Sequence, residues 1–571
     1  VETGANVFID DSLILGHATE SSGELNVVGF AEDESGMTPS TLVVDETIQA
    51  AVIGRAGSGT MTVSNGAQAI LNGRVALGTQ AGGTGELAVG GAAGFGENQI
   101  PATVAIDRFL QIGDDGQGMV TIQGGGLVDV SSSTIVGSTS GDGGGRLIME
   151  GGVLETGTFT VADDEALQFR LDYKDGLIRV DGGEDNIGSV NHQATDFHID
   201  GTLTGGVARF EMLNDVEADL GGNDLIVGNG NEGELLVRDG ARFPTHDTTV
   251  GWTSDAVGRV TVRNGELSHT GDLTVGRAGF AQFDVERGGQ VNVEGDAALA
   301  QMTDSEGQLV VTGTHSPDLL TLVGSRFEVT GEASGSSGSL MVGEEGQALL
   351  QIVNGGRADV AGDVELARGA DSSAAAIVSG MVEGAATDLY ARLDVGGDLV
   401  LSQNFDENDF LTLPVPSGSA SLFIGVGGIV DVDGNAHLGT FQSDSAIINI
   451  GGGTLRTTDL NTASGTLLFN FGEVYIQGGK LTGQGGQDFT LGGSGADGAA
   501  LLEISDGGQF HLNSAQRDSD GLLTDPGDLL TVGQGAFGRL NVFSGSQVTS
   551  GQAIIGDGAG VSVAQIGRAH V

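Results

Sequence analysis

The sequence predicts an all-β chain, a right-handed parallel β-helix (β-solenoid) of about 24 residues and three short strands per coil. Three observations carry this. A leading glycine recurs at a fixed step, from Gly54 to Gly78, Gly113 to Gly137, Gly228 to Gly251 to Gly276, and Gly533 to Gly556, with steps of 24, 24, 23, 25 and 23. That period belongs to solenoids. Apolar residues alternate with period two over short runs rich in β-branched side chains, which argues strand. Gly and Asn fill the places between runs, where they supply positive φ at little steric cost.

The elements follow from four aligned segments, Ala51–Gly73, Thr249–Asp272, Leu273–Asp296 and Leu530–Gln552. Each reads apolar-x-apolar-Gly, a Gly-rich turn, apolar-x-apolar, an Asn-Gly or Gly-Gly type turn, then a third alternation. In the coil beginning at Leu273 the inward set is Leu273 and Val275, Phe283 and Val285, then Val291 and Val293. Coils stacked about 4.8 Å apart pair each strand with its equivalents above and below. The crossover rule for parallel strands supplies the right hand. A flat β-sandwich array is the competing arrangement, since strand signals alone do not fix topology. A helical alternative fails for want of capped segments with a 3.6-residue period.

Along the chain, the repeat divides into coils over 1–162, an irregular insertion or looser coils over 163–222, coils over 223–383, looser coils with insertions over 384–529, coils over 530–565, and a tail at 566–571. Insertions in a solenoid map to loops on one face. Pro414 and Pro416 mark an interruption, because proline cannot donate to a ladder.

Composition narrows the function classes. The 103 glycines follow no Gly-X-Y period, which excludes collagen. Acidic residues number 77 against 23 basic ones, a net charge of −54, and Lys174 and Lys480 are the only lysines. Such a surface repels nucleic acid and anionic lipid, which need clustered cations. There is no cysteine and hence no disulfide framework. No stretch approaches 18 apolar residues, so no transmembrane helix is expected in this fragment. The chain starts at Val1 with no basic and apolar leader, so a leader has been removed or the start lies upstream.

The run VGxxGxGxLxVxxGG resembles repeats in passenger regions of bacterial autotransporters. It is also similar to the Gly-rich repeats of secreted bacterial proteins that end in a PEP-CTERM sorting signal, as are GGGTLRTTDL (Gly451–Leu460) and GGKLTG (Gly478–Gly483). The resemblance covers most of the chain. It implies a bacterial cell-surface or extracellular location, with a C-terminal barrel or sorting signal missing from this piece.

Chemistry must be read from sites, since parallel β-helices also house polysaccharide lyases and pectinases. No catalytic or cofactor-binding residue is nominated, and no enzyme is expected. Asp114-Asp115, Asp163-Asp164-Glu165 and Asp406-Glu407 read as solvated corners. Trp252, Tyr173, Tyr390 and Tyr475 are scattered rather than grouped as sugar platforms, and Trp252 reads as a packing cap beside Gly251. His192 and His198, six apart, lie too far apart along one extended strand to share a metal. Structural calcium is the weak metal candidate, with oxygen ligands from Asp431 and Asp433 or from Asp518 and Asp520 in incomplete Asp-rich loops.

The leading functional expectation is a structural or adhesin-like surface rod presenting its flanks to glycans or to a host or neighbouring cell surface. The alternatives are a polysaccharide-active β-helix enzyme and a passive stalk without ligand. A cluster of Asp, Arg and aromatic side chains on one face of three consecutive coils would favour the enzyme.

The last six residues, Ile566–Val571, read IGRAHV and resemble one translated frame of a common sequencing adapter, as expected for a truncated environmental gene. A solenoid cut at both ends exposes edge strands. The chain expressed alone is therefore expected to associate, which sedimentation velocity at rising concentration checks; a clean monomer throughout would count against it.

Overall fold

A computed structural model describes residues 1, 4–33, 36–94, 99–138, 143–162, 170–182, 189–192, 196–201, 205–316, 322–369, 371–383, 388–402, 418–439, 445–462, 465–482, 489–492, 499–512, 516–517, 523–525, 528–534, 537–543, 545–550, 552–557 and 563–566. No helix occurs among them. The chain divides into two compact units, Val1–Ser268 and His269–Val571.

Each unit is a parallel β-helix. In the first, the three-residue strand Ala51–Ile53, the seven-residue strand Ser58–Ser64 and the four-residue strand Gln68–Leu71 make one coil. Each pairs in parallel with its equivalent in the next coil: Ala51 with Val75, Met61 with Leu87, Ala69 with Val104. In the second unit, Leu273–Val275, Phe280–Glu286 and Gln290–Val293 repeat the pattern, and Leu273 pairs with Ala297, again 24 residues on. Parallel pairing throughout these coils excludes an antiparallel sandwich. All six inward residues expected of this coil are no more than 2% exposed.

Close stacking dictates the corners. Gly54 has φ +72°, and a Cβ there would collide with the carbonyl of Thr84 in the adjacent coil. Four described hairpins lie at the corner between the second and third strands: Phe30–Asp33 with Gly36–Pro39, Ala92–Ala93 with Ile100–Pro101, Thr314–His315 with Val323–Gly324, and Met381–Val382 with Leu389–Tyr390. A fifth, Gln516–Arg517 with Leu523–Asp525, follows the third strand Gln509–His511, so hairpins are not confined to one corner. Neighbouring coils make room for them: a Cβ on Gly66 would meet Ala93, and one on Gly427 would meet Met381.

A ladder of acidic side chains runs along the corner before each first strand. Asp272 Oδ1 accepts the backbone N–H of Asp296 at 2.8 Å, and Asp296 Oδ1 accepts that of Ser339 at 2.9 Å. Ser339 Oγ accepts Asp363 N–H at 3.2 Å, Asp363 Oδ1 accepts Asp398 N–H at 2.7 Å, and Asp398 Oδ1 accepts Asn435 N–H at 2.7 Å. The other unit has the same device: Asp196 takes the amide of Asp224, and Asp224 that of Asp247. Each side chain thus satisfies a corner amide that the strand ladder does not reach.

The two irregular stretches conceal one event each, in which the sheets exchange roles. The third-strand column of the first unit runs Leu42, Ala69, Val104, Val128, Leu154. It continues through Ile178 and Phe210 into Leu235, which lies on the second strand Glu232–Arg238. The first-strand column, through Phe159, Val190 and then Glu217, passes into Arg242–Thr245, a third strand. A new first-strand column starts at Phe197–Ile199. Phe210 stands edge-on to Phe197 at 5.2 Å and to Phe159 at 6.2 Å, filling the interior where the columns change.

The second unit repeats this. Val430, Leu455 and Val474 lead into Leu502 and Leu540, while Phe489–Leu491 opens the new column and Phe489 packs on Phe510 at 5.0 Å. Gly176 and Gly472, φ +111° and +118°, bend the corresponding long strands. The switch thus occurs twice, with Gly151-Gly152 and Gly452-Gly453, 301 residues apart, on the strands that lead into it. Pro414, Pro416 and residues 567–571 lie outside the described residues. Ile566 pairs with Val542 at the same 24-residue step.

Replacing Asp398 by Ala strips the acceptor from the Asn435 amide and is expected to cost about 1–3 kcal/mol. Asp398→Asn keeps an acceptor oxygen and should stay close to wild type. Urea unfolding of the two variants checks this; equal losses would sink the ladder's role.

Candidate binding groove

The third strands of the second unit carry the most organised polar surface in the described chain. Along Arg326–Val329, Arg357–Val360 and Leu389–Val395, the residues Phe327, Ala358 and Leu393 point inward and are fully buried. Their neighbours point out. Strand register places Arg326, Arg357 and Arg392 in one column. It places Glu328, Asp359, Asp394 and Asp431 in the column beside it.

The two columns zip together. Arg326 reaches Glu328 at 3.0 Å and Asp359 at 2.7 Å. Arg357 reaches Asp359 at 2.6 Å and Asp394 at 2.9 Å. Arg392 reaches Asp394 at 2.5 Å and Asp431 at 3.2 Å, and Arg456 closes on Asp431 at 3.6 Å. Every arginine but the last therefore bridges its own coil and the next. Single pairs at this exposure contribute about 0.2–1 kcal/mol each. Their larger effect is to hold each charged group in one place. Beyond the zipper Arg456 lies over the Tyr475 ring at 5.5 Å, and Tyr475 Oη donates to Glu473 at 2.9 Å.

Between the zipper and the aspartate ladder runs an open groove of about 370 Å³. Along it runs the column Thr330, Ala361, Gly396 and Asp433, with the small Ala361 and Gly396 between Thr330 at one end and Asp433 at the other. A Cβ on Gly396 would collide with the carbonyl of Ala361 in the adjacent coil, so close stacking requires glycine there.

Asp359 and Asp394 are register neighbours on adjacent coils, and each carboxyl affects the acidity of the other. Burial opposes the charge on Asp359, but hydrogen bonds from Arg326, Asp394 and Arg357 outweigh it and hold its carboxyl below the usual range. Burial, aided by the bond to Asp359, raises Asp394 despite Arg392 and Arg357. The two neighbouring carboxyls are thus pushed in opposite directions. Elsewhere in this unit, burial raises Glu344 and Glu365, which flank Arg368, and pushes His269 down to about 3, so that this His stays neutral in the core.

The calcium candidates divide. Asp431-Val432-Asp433 is part of the strand Gly428–Leu438 rather than a loop. Asp431 is held by two arginines, and Asp433 is exposed at the groove rim. Asp518 and Asp520 lie outside the described residues, as do Asp163–Glu165, Asp406 and Glu407. Asp114 pairs with Arg74 at 3.4 Å. His192 and His198 stand on separate strands rather than along one extended run. Trp252 is half-buried at its corner and donates its backbone N–H to Gly228. In the first unit, His246 Nδ1 lies 3.1 Å from Asp224 and 3.4 Å from Asp247, a grouping of exposed or half-buried side chains that the sequence reading missed.

The arginine column was missed as well. Its signal is present in the chain as RFEV, RADV and RLDV, three third strands of the form Arg-x-acid-Val at Arg326, Arg357 and Arg392.

No protein family and no curated protein matches the chain. Among solved structures it is similar to a TibC-catalysed, hyper-glycosylated TibA55-350 fragment, at 15% identity over 90% of this chain and 99% of that one, with a TM-score of 0.12. At that score the likeness carries no argument, and the fold rests on the strand register.

The opposite shifts of these two carboxyls have a pH signature. Asp394, raised in the fold, favours the folded state only while it keeps its proton. That contribution is lost as pH rises from the ordinary Asp value through the raised one. Asp359, lowered in the fold, contributes above its ordinary value and loses this as pH falls. Asp394→Asn should therefore gain on wild type as pH rises through that window and run parallel above it. Unfolding midpoints from pH 4 to 8 read the difference; profiles parallel throughout would rule out a raised Asp394.

Proposed function

We propose that the chain is a non-catalytic, extracellular or bacterial cell-surface β-solenoid of adhesin type, which binds a partner through an outward sheet face. The observation that carries this reading is the groove beside the zipper. It is a fixed run of charged groups over successive coils, open along its length, and built on the rigid strands rather than on loops. Fixed polar groups on rigid elements favour recognition, because little side-chain freedom is left to lose on binding. The likeness of the repeat to autotransporter passenger regions supports the surface location. In this reading Asp431 serves the ion-pair column rather than a calcium ion.

A specific observation favours a second reading, a polysaccharide-active enzyme. Arg and Asp share one face over more than three coils, with Tyr475 in line beyond Arg456. Against it stands the geometry of the carboxyl pair. Glycoside hydrolysis takes two carboxyls about 5–5.5 Å or 6.5–9.5 Å apart, flanking the bond to be cut. Asp359 and Asp394 lie in one column on adjacent coils rather than on two sides of a cleft, and arginines occupy both.

Folded protein is expected to adhere to glycan-coated surfaces or cells and to leave polysaccharides, uronate polymers included, uncut. Cell-binding and reducing-end assays run side by side test both halves. No adhesion by well-folded protein would leave a passive stalk, and turnover abolished by Asp394→Asn would establish the enzyme instead.

A further inference from the structure

We propose that the groove of the His269–Val571 unit binds an uncharged, diol-rich glycan chain running along the coils. The inference rests on the adhesive reading and names the ligand class of its site. It draws on the groove's size, its donor and acceptor pattern, its small residues and its charge.

The groove volume of about 370 Å³ lies within the range of small-molecule sites, which begins near 300 Å³. Because it is open and continues from coil to coil, its occupant is a segment of a longer chain. The same Arg-acid pair returns on successive coils, about 4.8 Å apart. A polymer presents equivalent groups at regular intervals to such a ladder, and a single small molecule does not.

The polar groups suit vicinal hydroxyls. A guanidinium offers five N–H donors and a carboxylate about four lone-pair sites. The zipper uses part of each set and fixes the remainder side by side, donor next to acceptor. Two hydroxyls on adjacent carbons each donate and accept, so a diol can span one arginine and one carboxylate together. The ion pairs already hold these side chains in place, which lowers the ordering cost of binding. Along the groove, Ala361 and Gly396 carry no side chain beyond Cβ, so a flat sugar ring can approach the backbone. Tyr475, half-exposed beneath Arg456, offers a ring face farther along the sheet.

Charge decides against acidic sugars. Glu328, Asp359, Asp394, Asp431 and Asp433 line the groove against Arg357 and Arg392, on a chain of net charge −54. The arginines are already paired. A uronate or sulfated chain would meet excess negative charge with no free cation among the lining groups.

The test uses the full chain and isothermal titration with size-matched hexasaccharides. These are cellohexaose, laminarihexaose and mannohexaose as neutral probes, hexagalacturonate as the acidic one and a chitosan hexamer as the cationic one. At least one neutral probe should bind, and hexagalacturonate should not. Ala361→Trp and, independently, Thr330→Trp fill the groove without touching the ion pairs and should each weaken that binding at least about tenfold. Ser421→Trp, on the exposed second-strand face, should leave it within about twofold. Matching melting midpoints confirm that the variants fold.

Neutral binding unmoved by both groove variants overturns the site. A preference for hexagalacturonate or the chitosan hexamer overturns the ligand class. Binding of no probe overturns the inference, and the cell-adhesion result then reports separately whether the adhesive reading stands.

Discussion

In-register pairing of each coil with the next is the constraint on which everything else depends. Apart from the corner hairpins, a strand in these units has no partner within its own coil; its amides and carbonyls are satisfied by the equivalent strands before and after it. This fixes the corner residues, because a bend that spreads the coils would break three ladders at once. It explains why Gly54 has a positive φ with no room for a Cβ. It also brings residues from distant parts of the sequence into contact. Arg326, Arg357 and Arg392 are 31 and 35 residues apart, yet register stacks them as neighbours.

Much of the coil was legible in the sequence. The glycine step, the alternation and the six inward residues of the coil at Leu273 all reflect local chemistry repeated at a constant interval, and repetition makes weak local signals add. The exchange of sheet roles was not legible. Phe159, Phe197 and Phe210 read as ordinary inward residues, and no local preference states which column a strand joins. That choice depends on how much chain lies between strands and on which interior has space for an aromatic ring. The aspartate ladder lay in plain view as Gly-Asp before several first strands, at 271–272, 295–296, 362–363 and 397–398. It was hidden by abundance: among 77 acidic residues, those doing backbone work look like those that are merely solvated.

The candidate site shows the same division. Asp431 and Asp433 stood out for a calcium loop because they alternate before a glycine. In the fold that alternation is the period of a strand, and it puts both carboxylates on the outward face. A search for acidic ligands alone passes over the arginines that neutralise them, since partners on the adjacent coil are 25 to 39 residues distant. The zipper becomes visible in sequence only when the period is known first and outward positions are compared at equal phase.

The ladder has a consequence for how such a chain can change in length. Each aspartate serves an amide of whichever coil comes next, and the groups it needs are the same in every coil. Removing or inserting one complete coil therefore brings together two ends that already fit, with no amide stranded and no charge left without its hydrogen bond. Gains and losses of whole coils are nearly silent to the fold, whereas a change of a few residues within a strand is not. A gene encoding this architecture can thus lengthen by unequal recombination and remain foldable at each step.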